Sequence, residues 1–218
     1  MAKKVAVVLA GCGVFDGAEI HESVLTLLRL DQLGAEVTCL APNIDQMHVV
    51  NHLTGEPAEK EVRNVLVEAA RIARGDIKDI AAVNAEDFDA VIVPGGFGAA
   101  KNLCTFAVDG PAMKVNPDFE AFIKAARSAG KTIGLMCIAP AMSAKLFAAD
   151  VVCTIGNDAE TAAAVEQSGA KHENCSVENV VIDEANKLVT TPAYMLASSI
   201  SEAALGINAL VEKVIELS

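Results

Sequence analysis

Basic residues are scarce in this 218-residue chain: 17 lysines and arginines stand against 29 aspartates and glutamates, a formal charge of −12. A surface that acidic repels phosphate backbones, so no nucleic-acid partner is expected and anionic membrane surfaces are disfavoured. No stretch of about 18 apolar residues is free of charge, so no segment is expected to span a bilayer. The six cysteines, Cys12, Cys39, Cys104, Cys137, Cys153 and Cys175, form no C-x-x-C pair, and no Cys/His spacing suits zinc. No metal is therefore expected. Several of these cysteines lie in apolar runs, where a free thiol behaves as a small hydrophobe, the pattern of a reducing compartment. Linkers, repeats and low-complexity stretches are missing, and so is an Arg- and Ser-rich leader. Lys3 and Lys4 before an apolar run imitate a secretion signal, but Gly11-Cys12-Gly13 cuts the run short and a strand–helix reading accounts for it better. The chain is expected to be mature and cytoplasmic.

Hydrophobic residues make up 52% of the chain, enough for a sizeable core without disulfides or metal. Short apolar runs alternate with longer segments of helical period, the signature of a parallel sheet covered by helices. Strands are expected at 5–10, 36–40, 46–51, 89–93, 131–136 and 151–155, and a hairpin at 177–183 and 187–191. Helices are expected at 18–33, 59–74, 118–129, 138–148, 158–168 and 197–217, with glycine ending several of them. On the first helix, Ile20, Val24, Leu27 and Leu28 read as the apolar face; on the second, Val62, Val65, Leu66, Ala69 and Ile72 do. Length alone would allow two small domains, but the pattern reads as one α/β domain over 1–218, a doubly wound, mostly parallel sheet with helices on both faces.

In such a sheet, active groups gather where strand carboxyl ends meet helix N-termini. Four ends stand out: Gly11-Cys12-Gly13, Pro94-Gly95-Gly96, Met136-Cys137 and Thr154-Ile155-Gly156. Cys137 sits on an abrupt strand-to-helix corner resembling a nucleophile elbow, although Leu135 stands where such elbows favour a small residue. Pro140 suits the first turn beyond, and the helix N-terminus would favour thiolate. A buried cysteine filling a corner is the competing reading. Amides of Gly95, Gly96 and Ile138 could hold an oxyanion. The glycine loop also reads as a tight turn, or as a phosphate cradle, although neither G-K-[ST] nor G-x-G-x-x-G occurs. Glu19 and Glu22 open the first helix three residues apart, either as dipole partners or as a proton relay for Cys137. None of the histidines, His21, His48, His52 and His172, is expected as the base a cysteine nucleophile normally takes, which makes a Cys–His–Asp triad doubtful.

Three segments in order, Gly11 through Glu22, Pro94 through Leu103 and Met136 through Ala141, resemble the PfpI/parkinsonism-associated deglycase superfamily. Asn51 through Glu56, Arg63 through Leu66 and Val189 through Met195 are similar to its ElbB branch, named for enhanced lycopene biosynthesis and also called sigma cross-reacting protein. The resemblance runs nearly end to end. It implies a flavodoxin-like, class I glutamine-amidotransferase-like fold, Cys137 as nucleophile, and a first-helix carboxylate on the sulfur. Glu22 matches that role, with Glu19 as a second carboxylate. It also implies a cofactor-free, glutathione-independent glyoxalase acting on a small aldehyde, and a homodimer. A thiol-based redox sensor or interaction protein, linked by association to isoprenoid synthesis, is the alternative. The catalytic histidine found in the wider superfamily after the strand following the elbow has no counterpart here, which argues against amidase, peptidase or amidotransferase chemistry.

Overall fold

The structure, a computed structural model, describes residues 2–218. The N-terminal part runs β1 (Lys4–Val8), α1 (Ile20–Gln32), β2 (Glu36–Ala41), β3 (Val50–Asn51), β4 (Glu56–Pro57), α2 (Val65–Ile72) and β5 (Ile77–Asp79). β6 (Ala90–Val93), α3 (Phe97–Lys101), α4 (Phe106–Asp109), α5 (Pro117–Ser128), β7 (Thr132–Met136) and α6 (Ser143–Leu146) follow. The chain closes with β8 (Val152–Cys153), α7 (Ala159–Gln167), β9 (Lys171–His172), β10 (Val181–Asp183), β11 (Leu188–Thr191) and α8 (Ile200–Leu217).

Seven strands form one sheet in the order β10-β11-β7-β6-β1-β2-β5. All neighbours are parallel except the hairpin pair β10 and β11. Both faces of β1 are buried. Val5 and Val7 pack with Leu30 of α1, Val65 of α2 and Leu210 of α8. Ala6 and Val8 pack on the other face with Phe119 and Ile123 of α5 and Val165 of α7. This period-two division between two cores is why the central strands read as unbroken apolar runs. The fold is the flavodoxin-like, doubly wound α/β arrangement. The chain leaves β1 toward β2 on one side, while β6 and β7 lie on the other. The carboxyl ends of β1, β6 and β7 thus converge beside the switch point, where open sheets hold their ligands.

Several elements depart from the sequence expectation. The strand expected at 151–155 shrinks to β8 and pairs with β9 outside the main sheet. The second helix begins only after Asn64, whose side chain accepts from the Val67 amide (3.0 Å), so Val62 lies on exposed coil before it. The helix expected at 138–148 is a 3-10 turn, Ala139–Met142, followed by the single turn of α6. The first helix is also rotated from expectation. α1 buries Glu22, Ser23, Thr26 and Leu30, while Ile20, Val24 and Leu28 stay nearly half exposed.

Candidate active site

β7 carries the chain to Met136, and Cys137 turns it with φ of +61°, a conformation uncommon for a residue bearing a side chain. The Cys137 amide donates to the Thr191 carbonyl (3.0 Å), so the parallel neighbour β11 holds the corner in place. Leu135 is accommodated because it lies fully buried within the sheet, beneath the corner. Cys137 itself is 7% exposed. Across from it runs the loop after β6. A Cβ on Gly95 would stand 2.3 Å from the Cys137 Cβ and 2.9 Å from Glu22 Oε2, so only glycine lets this loop approach so closely.

Glu22 is fully buried beneath the thiol. Its Oε2 accepts from the Gly95 amide (2.8 Å) and its Oε1 from the Tyr194 amide (3.1 Å), while the Cys137 thiol lies beside the same carboxylate. Glu19 does something else. It is the N-cap of α1, outside the helix proper, and its Oε2 accepts from the Glu22 amide (2.7 Å). Of the two carboxylates, Glu22 is the one on the sulfur. Of the three amides expected as oxyanion donors, that of Gly95 is taken by Glu22. Those of Gly96 and Ile138 flank the Cys137 sulfur.

Burial pushes Glu22 up to about 7; the amides of Tyr194 and Gly95 and the thiol pull it down, while the Glu19 charge pushes it further up. Burial also raises Cys137 well above an ordinary thiol, with the Glu22 charge adding to it and the Gly96 and Ile138 amides opposing. The expectation of a stabilised thiolate is thus corrected. A 3-10 turn and one turn of α6 make a weak dipole, which burial beside a carboxylate outweighs. The thiol is thus held above its ordinary range, beside a carboxylate itself raised to about 7.

Above the thiol opens a cavity of about 540 Å³, bounded by Glu19, Gly96 and Phe97 on one side and by Phe106, Tyr194 and Met195 on the others. No histidine lines it. His172 Nε2 accepts from the Ile155 amide (3.2 Å). His52 Nε2 accepts from the Phe15 amide (3.2 Å), and His48 is exposed. His21 Nδ1 hydrogen-bonds the Tyr194 hydroxyl (2.9 Å) at the pocket rim. Cys12, at another of the strand ends, is outside the pocket; burial and Glu68 raise its thiol. Tyr194 was not picked out from the residues as a site component, although it is the chain's one tyrosine and falls three residues beyond β11. The strand-end rule that found Cys137 would have found it too. Among the described residues no three His, Cys, Asp or Glu side chains converge to hold a metal.

An elbow cysteine over a helix-borne carboxylate, on a seven-stranded doubly wound sheet, is the arrangement of a class I glutamine-amidotransferase-like protein. No family model matches the chain. It is 50% identical to the human glutamine amidotransferase-like class 1 domain-containing protein 3, mitochondrial, with all of this chain and 84% of that protein covered. The rat ES1 protein homolog, mitochondrial, is also 50% identical, over 99% of this chain and 84% of its own length. The crystal structure of an isoprenoid biosynthesis protein with amidotransferase-like domain from Ehrlichia chaffeensis superposes with a TM-score of 0.92 at 38% identity, with 99% of each chain covered. Drosophila melanogaster DJ-1beta shares the fold with a TM-score of 0.55 at 21% identity, over all of this chain and 96% of its own. The chain belongs to the ES1 family of glutamine amidotransferase-like class 1 domain proteins. The human and rat names overturn the expected cytoplasmic location, since both relatives are called mitochondrial. Free cysteines fit any reducing compartment and do not separate one from another.

Proposed function

We propose that the protein is a cofactor-independent glyoxalase that converts glyoxal or methylglyoxal to the hydroxy acid through a Cys137 hemithioacetal. The observation that carries this reading is the elbow Cys137 thiol lying beside the buried Glu22 carboxylate, both packed against Gly95. As the sulfur attacks the aldehyde carbon, the thiol proton passes by way of Glu22 to the new hydroxyl. Glu22 then takes the carbon-bound proton of the hemithioacetal, forming an enediol, and returns it to the neighbouring carbon. That carbon is reduced and the sulfur-bearing carbon is oxidised to a thioester. Water cleaves the thioester, restoring the thiol and releasing the acid. Amides of Gly96 and Ile138 would hold the oxyanion. The redox-sensor alternative draws on the same thiol and carboxylate, and peroxide-dependent modification of Cys137 without aldehyde turnover would favour it. The name of the Ehrlichia chaffeensis relative supports a link to isoprenoid biosynthesis as a setting for the reaction.

The test is hydroxy-acid formation from both aldehydes, followed by NMR, in wild type, Cys137→Ser and Glu22→Gln. The expected outcome is loss of product by at least about 1,000-fold in Cys137→Ser and about 100-fold or more in Glu22→Gln. Turnover by Cys137→Ser at the wild-type rate would rule the mechanism out.

A further inference from the structure

We propose that the pocket over Cys137 selects a 2-oxoaldehyde with a neutral, apolar substituent of about aryl size. This rests on the cysteine–carboxylate reading above and names the substrate class. The cavity measures about 540 Å³. Pockets of roughly 300–1,000 Å³ enclose drug-sized ligands, whereas glyoxal is two carbons and two oxygens and would leave most of this one filled with water. The walls away from the sulfur are apolar: Val14, Phe97, Ala100, Phe106, Ile138 and Met195. Two short helices, α3 and α4, supply three of them. They follow a glycine loop that already satisfies Glu22, so the apolar wall and the reacting pair are built by one segment.

Charge narrows the class further. Glu19 and Glu160 line the cavity, and no lysine, arginine or histidine does. Lys101, the nearest base on the wall helix, donates to the Phe15 carbonyl (2.8 Å) and rests over the Phe97 ring. A substituent bearing a carboxylate or phosphate would meet two carboxylates and no counter-charge, whereas a phenyl or branched alkyl group meets surface of its own kind. The chemistry is unchanged. The thiol adds to the aldehyde carbon, the proton on that carbon moves to the ketone carbon, and water releases the 2-hydroxy acid, mandelate in the case of phenylglyoxal.

The experiment compares kcat/KM for glyoxal, phenylglyoxal and 4-carboxyphenylglyoxal, with product identified by NMR. Wild type is expected to favour phenylglyoxal over glyoxal by about tenfold or more, and to disfavour the carboxylated analogue by a similar factor. Ala107, an exposed lining residue on α4, provides the control for intrinsic reactivity. Ala107→Phe fills the cavity and should lower the phenylglyoxal-to-glyoxal ratio about tenfold, and Thr161→Phe on α7 should do the same. Equal kcat/KM for glyoxal and phenylglyoxal, both lost in Cys137→Ser, would overturn the substrate assignment and leave the cysteine chemistry standing. Absence of hydroxy acid from every aldehyde with wild-type protein would overturn both.

Discussion

Glu22 keeps its proton up to about pH 7 because it lies fully buried, with the Glu19 charge close by. A base must be ionised to act, so kcat/KM for glyoxal should rise with pH through about 7 and level off above it. A pH–rate profile checks this, and a wild-type profile flat from pH 5 to 9 would count against Glu22 as the base. The same shift bears on stability. The folded-state value exceeds the unfolded one, so the contribution of Glu22 is complete below about pH 4.5 and lost as pH rises through about 7. Urea unfolding should therefore show wild type losing up to roughly 3 kcal/mol relative to Glu22→Gln between pH 5 and 8. Gly95→Ala should cut activity by more than about tenfold, because its methyl group would overlap both Cys137 and Glu22. Cys137 was legible in the sequence, since an apolar strand ending directly on a cysteine leaves it nowhere but the sheet edge. The choice between Glu19 and Glu22 was not legible from spacing. Glu19 is in extended backbone (φ −65°, ψ 125°) as the N-cap, so helical spacing does not relate the two side chains.

At the scale of elements, α1 shows how a site overrides a hydrophobic pattern. Helical periodicity favours Ile20, Val24 and Leu28 for the core, yet this stripe faces outward and the polar stripe faces inward. Turning Glu22 toward Cys137 fixes the rotation, and the buried hydroxyls find partners, Ser23 Oγ donating to the Glu19 carbonyl (2.7 Å). A chain read by periodicity alone could not reveal this, because a functional carboxylate and a surface one look alike. The outward stripe is the supporting observation for the proposed homodimer. Val24→Arg with Leu28→Arg should yield a monomer by sedimentation, and an undisturbed dimer would place the interface elsewhere. In α8, Gly206 is where the helix crosses the end of the sheet. A Cβ there would stand 2.2 Å from the Val177 carbonyl and 2.7 Å from Thr191 Oγ1. Gly206→Ala should therefore destabilise the protein by about 1–3 kcal/mol in urea unfolding, although alanine is the better helix former. The long elements, α5, α8 and the central strands, were legible because they bury whole faces. The fragments α3, α4, β5 and β9 were not, since two to five residues carry no period.

For the molecule as a whole, the two apolar layers were readable from the alternation of strand and helix, and the antiparallel hairpin from its short polar turn. The compartment was not, because composition reports chemistry and not address. Six unpaired thiols give the whole structure a reactivity map. Cys12 and Cys175 are partly exposed, while Cys39, Cys104, Cys137 and Cys153 are buried. Alkylation followed by mass spectrometry should label the first two and the pocket-lining Cys137 in the native protein and all six in denaturant, and early labelling of Cys104 or Cys153 would contradict the packing. The clamp on Glu22 also has a consequence for the order of biosynthesis. Its two amide partners come from Gly95, 73 residues further along, and from Tyr194, 172 residues further along. A ribosome releases the carboxylate first, the thiol much later and the second amide almost last. Until then the nascent chain carries carboxylate and thiol without the clamp that holds the carboxylate in place, so the arrangement is complete only when nearly all of the chain has emerged.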